Sequence, residues 1–330
     1  MTTAAASRAY DVLVLGEVLV EIHAGSALRA VADGTTARVS FSGDALNAAA
    51  AAAAAGARTA LLMVVGDDEL GDPLLRRAAE LGVDVSHVHR APRPNGAYLV
   101  GADTEGDREF VYWRTRSAGS TLSPAHTRAW RKLLTATGAL VTSGITGALS
   151  PTAREAVLDA ARTVHAAGGH LTYDPNHRPR LTGRDPARDL LARIAPMTGL
   201  LKTSCPADAL ALVDTADPRV AAARYRALGA RAVAVTCGAG LLLLDDGARV
   251  AGFPVPPNPA PVDATGAGDC FTGTATARIA LGDTLERAVA HGVAAASLSV
   301  SGRGGTGYVP AFADTAALAA TVRPGIRPGP

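Results

Sequence analysis

The residues with the most chemical potential lie late in the chain, in Val262-Asp263-Ala264-Thr265-Gly266-Ala267-Gly268-Asp269-Cys270-Phe271. Two small glycine-bearing steps run into a helical pattern with an aspartate in its first turn. Glycines let consecutive backbone N–H groups face one way, and a helix N-terminus adds roughly half a positive charge. Together they form an anion cradle. A carboxylate repels an anion, so Asp269 reads as a base awaiting a hydroxyl proton beside a phosphate. The simpler alternative is a plain helix start, with Asp269 as a favourable first-turn charge.

A cradle works only if other elements bring ligand atoms to it. In open parallel sheets, ligands bind beyond the carboxyl ends of the strands. The residues after the apolar runs are Glu17, Asp67, Gly144, Asp174–Arg178, Ser204, Thr236–Gly240 and Thr265–Asp269. That polar and small content is what one long cleft requires. In Asp174-Pro175-Asn176-His177-Arg178-Pro179-Arg180, Arg178 offers a planar fork suited to a carboxylate or phosphate. The alternative is a surface turn with local salt links. Tyr112-Trp113-Arg114 reads as a ligand-facing strand or as solvated packing. Thr236-Cys237-Gly238-Ala239-Gly240 suits backbone approach to a phosphate chain, or makes a tight turn. Asp44 and Asn47, one turn apart at the start of an alanine helix, are polar contacts or N-caps.

Several chemistries are excluded. There is no GxxxxGK[ST], and Lys132 and Lys202 are the only lysines, so no P-loop exists. Gly302-Arg303-Gly304-Gly305-Thr306-Gly307 matches GxGxxG, but Tyr308-Val309-Pro310 breaks any following helix, so the dinucleotide reading fails. The histidines show no metal or triad spacing and default to surface or capping roles. Cys205, Cys237 and Cys270 are far apart in sequence and odd in number, which points to a reducing compartment. A net charge of +2 over 330 residues implies no nucleic-acid or membrane surface. No run approaches the ~18–20 apolar residues of a membrane helix. The expected location is cytoplasmic.

The 48% hydrophobic content supports one large core or two modest ones. Strands are expected at Val12–Leu15, Thr59–Val65, Leu140–Ser143, Leu171–Asp174, Gly199–Lys202 and Ala232–Thr236, with a pair at Leu241–Asp245 and Arg249–Phe253. Helices are expected over the alanine run Ala48–Ala55, with Asp44 and Asn47 in the first turn and Gly56 as the stop, and at Asp72–Leu81, Pro151–Ala167, Asp189–Ile194, Val220–Leu228, from Gly268 onward, and Glu286–Val300. This alternation means a mostly parallel sheet with helices on both faces. Residues 18–41 and 95–116, including a hairpin around Asp103–Asp107, alternate differently and form a small sheet outside the core. Residues 1–9 and 322–330 read as tails around a single domain, 10–321.

Three motifs resemble the ribokinase (PfkB) family of sugar kinases. Asp263-Ala264-Thr265-Gly266-Ala267-Gly268-Asp269 resembles the D-x-x-GAGD signature. Ser42-Gly43-Asp44-Ala45-Leu46-Asn47, with Gly66-Asp67-Asp68 and Gly71, resembles the N-terminal signature. Thr236-Cys237-Gly238-Ala239-Gly240 resembles the nucleotide-side loop. Within the family, Phe110–Arg114, Ser117–Ser120, Ser143–Thr146, Leu149–Pro151 and Asp174–Leu181 are most similar to 2-keto-3-deoxygluconate kinases. The resemblance implies a three-layer α/β/α sandwich with a small β-sheet lid. It implies Asp269 as base, the N–H groups of Gly266, Ala267 and Gly268 as an anion hole, and Gly43 and Asn47 on sugar hydroxyls. Tyr98, Tyr112, Arg114 and Arg178 match sugar-acid contacts. Ser204, Thr236, Gly238, Gly240 and Thr265 fall on the ATP side. ATP and Mg²⁺ are the implied cofactors, with a monovalent cation such as K⁺ near Asp263 in some relatives. One departure concerns the metal: Ser204 and Ala207 stand where an N-x-x-E element is usual, leaving Asp208 or water-bridged groups for Mg²⁺.

The expected function is phosphorylation of the terminal hydroxyl of 2-keto-3-deoxygluconate or a similar sugar acid. Two converging arginines would lack a partner on a neutral sugar, and a buried unpaired charge is costly. The rivals are a neutral-sugar or nucleoside kinase and a non-catalytic sugar or nucleotide sensor. An exposed lid sheet favours a homodimer.

Overall fold

The computed structural model describes residues 8–102 and 108–325. The expected turn at Asp103–Asp107, residues 1–7 of the expected N-terminal tail and residues 326–330 of the C-terminal one lie outside the described residues. Among the described residues, eight strands form the main sheet. Their spatial order is β14 (Val250–Pro254), β13 (Leu241–Asp245), β12 (Val233–Cys237), β11 (Leu200–Ser204), β10 (His170–Asp174), β9 (Ala139–Ser143), β1 (Val12–Leu15) and β4 (Thr59–Leu62). The six from β12 to β4 run parallel, and β13 and β14 close one edge antiparallel.

Strand β1 shows why the fold has three layers. Successive side chains on a strand point to opposite faces. Leu13 and Leu15 pack with the helix Pro151–Ala166, whereas Val12 and Val14 pack with the helix Asp44–Ala54. Each face of the sheet therefore needs its own helical layer. The long helix on the first face begins at Ser150, whose Oγ accepts the Ala153 N–H at 3.1 Å, with Pro151 in the first turn.

On the second face, Asp44–Ala54 packs against the helix Ala267–Ala280. A Cβ at Gly273 would clash with the Ala48 carbonyl, so the two backbones touch. The alanine run thus serves helix–helix contact as well as packing on the sheet. That contact sets the two helix N-termini side by side.

The second sheet has the order β3 (Arg38–Ser42), β2 (Leu19–His23), β7 (Gly96–Ala102) and β8 (Arg108–Trp113). Its register aligns Ser40, Glu21, Tyr98 and Tyr112 on one face and Val39, Ile22, Leu99 and Val111 on the other.

Two element boundaries differ from expectation. Thr59–Val65 is not one strand: the chain leaves the main sheet after Leu62, and β5 (Val64–Gly66) pairs in parallel with β6 (His89–Ala91). Because β4 is an edge strand, the chain can twist away there and gain a separate partner. The helix expected from Asp189 starts at Arg184, since Pro186 is tolerated in a first turn.

Candidate active site

The carboxyl ends of β9 to β12 and the N-termini of the two touching helices converge on one cavity of about 530 Å³. Asp269 lines it from the first turn of Ala267–Ala280. The turn before that helix requires Gly266 at φ 78°, a left-handed conformation that side chains disfavour. The Asp269 Oδ2 accepts the Asn47 Nδ2–H at 2.9 Å. Burial first, and then the nearby Asp44 charge, push the Asp269 carboxyl up to about 7. Asp44 is itself raised by burial, and Ser143 Oγ donates to it. Neither Asp44 nor Asn47 caps its helix, whose N-cap is Gly43 at φ 117°. The capping alternative is therefore set aside.

Lys202 lies beneath the cradle. A Cβ at Gly268 would come within 2.7 Å of its Nζ, which donates to Asp174 at 2.9 Å. Burial lowers the Lys202 pKa, but Asp174 and Asp208 outweigh it and the net shift is upward. Asp174 stays raised by burial despite Lys202. The first-turn amides of a helix have no intrahelical acceptor, so those of Gly268 and Asp269 are free of their own ladder. The Ala267 N–H makes only a long 3.3 Å bond to the Ala264 carbonyl.

The lid covers the other wall of the cavity. Gly43, Tyr98, Tyr112, Arg114 and Arg178 all line it. Tyr112 faces inward beside Arg114, whose guanidinium lies 5.6 Å from the ring centre. Trp113, between them, points outward and is 54% exposed. The two arginines differ in a way that corrects the charge argument. Arg114 is 8% exposed and already pairs with Glu17, itself 2% exposed. Ser117 Oγ also donates to Glu17, at 3.0 Å. Glycines wall this carboxylate in, because a Cβ at Gly96 or Gly119 would lie 2.9 or 3.0 Å from its Oε1. The Arg114 Nε is buried without a partner. Arg178 is exposed and donates to the His177 carbonyl at 3.2 Å. Neither of these two arginines is therefore a buried, unpaired charge awaiting a ligand.

A second cavity of about 510 Å³ shares Thr236, Gly238, Ala264 and Gly268 with the first. Its far wall is apolar, built from Leu242, Val255, Phe271, Val293 and Val300. The two cavities meet over the cradle. Thr265 lines the first and Ala267 the second. Gly240 lines neither; its carbonyl accepts the Val255 N–H at 3.2 Å. The Asp263 Oδ1 accepts the Thr265 N–H and hydroxyl at 2.9 and 2.8 Å, and its Oδ2 accepts the Gly304 N–H at 2.8 Å. Asp208 accepts the His177 N–H at 2.9 Å through Oδ1, and the Ser204 N–H and Oγ–H at 3.1 and 2.7 Å through Oδ2. Among the described residues, no three His, Cys, Asp or Glu side chains are grouped to hold a metal. Glu17, Asp67, Gly144 and Asp174 are among the strand-end residues that line neither cavity.

Residues 10–311 match the pfkB family of carbohydrate kinases. The chain belongs to this family. The kinase is 33% identical to the 2-dehydro-3-deoxygluconokinase of Thermoproteus tenax over 91% of each chain. It is 28% identical to the protein of that name from Escherichia coli, covering 89% of this chain and 96% of that one. Its structure is similar to that of a candidate ribokinase II of Escherichia coli solved with ATP and Mg²⁺, at TM-score 0.83 and 26% identity, covering 93% and 98% of the two chains. The fold is the ribokinase-like one, with its mostly parallel sheet and smaller second sheet.

Sequence reasoning passed over several residues of this kinase's site. Lys202 carried a signal, since lysine in a strand buried on both faces must be paired. The Gly302–Gly307 loop, rejected as a dinucleotide motif, packs on the cradle instead: a Cβ at Gly266 would lie 2.9 Å from the Gly305 Cα. His177 and His291 are buried, not surface residues. Cys205 and Cys237 sit one step beyond the paired Ser204 and Thr236 of β11 and β12, and the Cys205 thiol donates to the Ala216 carbonyl at 3.0 Å. Among the described residues, no helix is long and apolar enough to cross a membrane.

Proposed function

We propose that the kinase transfers the γ-phosphoryl group of ATP to the terminal hydroxyl of 2-keto-3-deoxygluconate (2-dehydro-3-deoxygluconate) or a similar sugar acid. The observation that carries this reading is the placement of Asp269 where two cavities meet, one polar and lid-covered with Arg114 and Arg178, the other apolar. The apolar cavity suits a purine, and the polar one suits a hydroxylated acid. Asp269 takes the proton of the attacking hydroxyl. The amides at Gly266–Gly268 and the Lys202 ammonium hold the oxygens of the transferring group. Gly43, Asn47 and Tyr98 orient sugar hydroxyls, and Tyr112, Arg114 and Arg178 hold the acid end. Thr236, Gly238 and Thr265 border the triphosphate.

The residues present suit a nucleotide with Mg²⁺. Lys202 and the first-turn amides are cations and donors aimed at phosphates, and Ser204 and Asp208 are oxygen ligands suited to bound water. Mg²⁺ supplies charge neutralisation on the phosphates. A similar structure solved with ATP and Mg²⁺ supports this assignment.

A second reading, a kinase for a neutral sugar or nucleoside, is favoured by one observation. Glu17 already neutralises Arg114, so a neutral ligand leaves no buried charge unpaired. ADP release measured with 2-keto-3-deoxygluconate, D-fructose and D-ribose separates the two. Turnover of a neutral sugar in preference to the acid refutes the sugar-acid reading. Arg178→Ala is the sharper mutational probe, because removing Arg114 would strand Glu17. Its expected effect is a roughly tenfold higher KM for the acid, about 1.4 kcal/mol, with little change for a neutral sugar. Equal effects on both remove Arg178 from carboxylate recognition.

The lid's outer face exposes Val39, Val111 and Trp113 at 57, 41 and 54%. We infer that a second copy covers it, giving a homodimer. Trp113→Glu is expected to shift the sedimenting species from dimer to monomer, and a wild-type chain that sediments as a monomer refutes the inference.

A further inference from the structure

Glu21 is a buried carboxylate that the transfer step does not use, and it is 1% exposed. Three side chains converge on it. The Tyr98 hydroxyl donates to Oε2, Ser40 Oγ donates to Oε1 at 2.8 Å, and His23 Nε2 lies 2.8 Å from Oε1. All three belong to the lid. Its fourth neighbour does not: Oε1 rests on Gly304, where a Cβ would clash with it.

Gly304 leads straight to the reacting groups. Its N–H donates to Asp263 at 2.8 Å, and Asp263 accepts from Thr265 at the entry to the cradle. The next residue, Gly305, is pressed against Ser42 and Asn47 so closely that no side chain fits. Asn47 donates to Asp269. One buried carboxylate therefore touches both the lid tyrosine that faces the acceptor and the loop that buttresses the cradle and base.

We propose that Glu21 is a positioning residue that couples closure of the lid over the acceptor to alignment of the cradle and Asp269, through the Gly302–Gly307 loop. The proposal rests on the phosphoryl-transfer reading but not on which sugar is bound. A buried carboxylate with several donors is held rigidly. Because the Tyr98 proton is committed to Glu21, the Tyr98 oxygen meets the ligand as an acceptor and reads a sugar hydroxyl. A ligand that engages Tyr98 thereby braces the carboxylate that seats Gly304. Phosphoryl transfer depends on placement, and an error near 1 Å costs on the order of 10²-fold.

Glu21→Gln preserves shape but turns one acceptor into a donor facing its neighbours. It is expected to lower kcat roughly tenfold or more while sugar KM changes less than about threefold. Tyr98→Phe removes both the sugar contact and the link to Glu21, so it is expected to raise sugar KM roughly tenfold and also to lower kcat. An unchanged kcat in Glu21→Gln, or an unchanged kcat in Tyr98→Phe, overturns the coupling. The wild-type protein gives an independent measurement should Glu21→Gln not fold. Adding 2-keto-3-deoxygluconate without nucleotide should slow amide hydrogen exchange across residues 302–307, and no slowing overturns the proposal. If the ADP-release screen returns a neutral sugar, D-fructose replaces the acid, so failure of the sugar-acid reading leaves this test standing.

Discussion

Asp269→Asn is expected to lower kcat by roughly 10²–10⁴-fold, the usual range for loss of a general base. Asparagine keeps the side-chain volume and can still meet Asn47, so the cavity, the cradle and nucleotide affinity should survive. Activity within tenfold of wild type would remove Asp269 from the role of base. The wild-type pH profile carries the same assignment. With the carboxyl pushed up to about 7 by burial and by Asp44, the ionised form needed for proton abstraction is lost as pH falls. kcat/KM should therefore drop about tenfold per pH unit below pH 7, and the Asn variant should lack this limb. Stability runs the other way. A raised folded-state pKa contributes stability that is present below the unfolded value of 3.8 and lost as pH rises through about 7. The Asn variant escapes that loss. Its thermal advantage over wild type should grow from pH 5 to pH 8, which a melting series at fixed ionic strength would read. On the proposed reading, Asp269 exchanges some stability of the protein for a raised pKa, as groups at functional sites commonly do.

The parts of this molecule legible in its sequence are those whose signals are local. Val12–Leu15 is apolar on both faces, so it had to lie between two helical layers. Gly266-Ala267-Gly268-Asp269 announces a turn into a helix start, and the structure forms one there. Glu21 gave no such signal, and Glu17 read only as one of several residues that follow an apolar run. Leu19-Val20-Glu21-Ile22-His23 alternates as a strand with one wet face should, and that face turns out to be the inner side of a lid. Alternation distinguishes two faces but not solvent from a ligand cavity. Glu17 meets Arg114 across 97 positions, a separation that no spacing rule spans. The charge argument for the substrate failed for that reason: two arginines were read without the carboxylate that pairs with one of them. Gly273 belongs to the same class. A glycine inside a helix is unremarkable in sequence, and only its contact with the Ala48 carbonyl explains why Asn47 reaches Asp269.

Lys202→Met should damage this kinase twice, and the two effects can be separated. The side chain is 8% exposed and pairs with Asp174 at 2.9 Å, so its removal leaves a buried carboxylate without a counter-charge. Breaking such a pair from one side costs about 3–5 kcal/mol. The penalty should ease toward low pH, because an unpaired Asp174, already raised by burial, takes up a proton and becomes neutral. The second effect concerns the reaction. The ammonium lies under Gly268 at the floor of the cradle, where the proposed transfer would concentrate negative charge. Losing a fixed cation there is expected to lower kcat by roughly 10²–10³-fold. Adding Asp174→Asn distinguishes the two contributions. Asparagine keeps an oxygen for the Asn176 N–H, which Asp174 accepts at 3.0 Å, and removes the stranded charge. The double variant should therefore regain most of the lost melting temperature and little of the lost kcat. If activity returns together with stability, Lys202 serves only to neutralise Asp174, and the cradle works through its backbone amides alone.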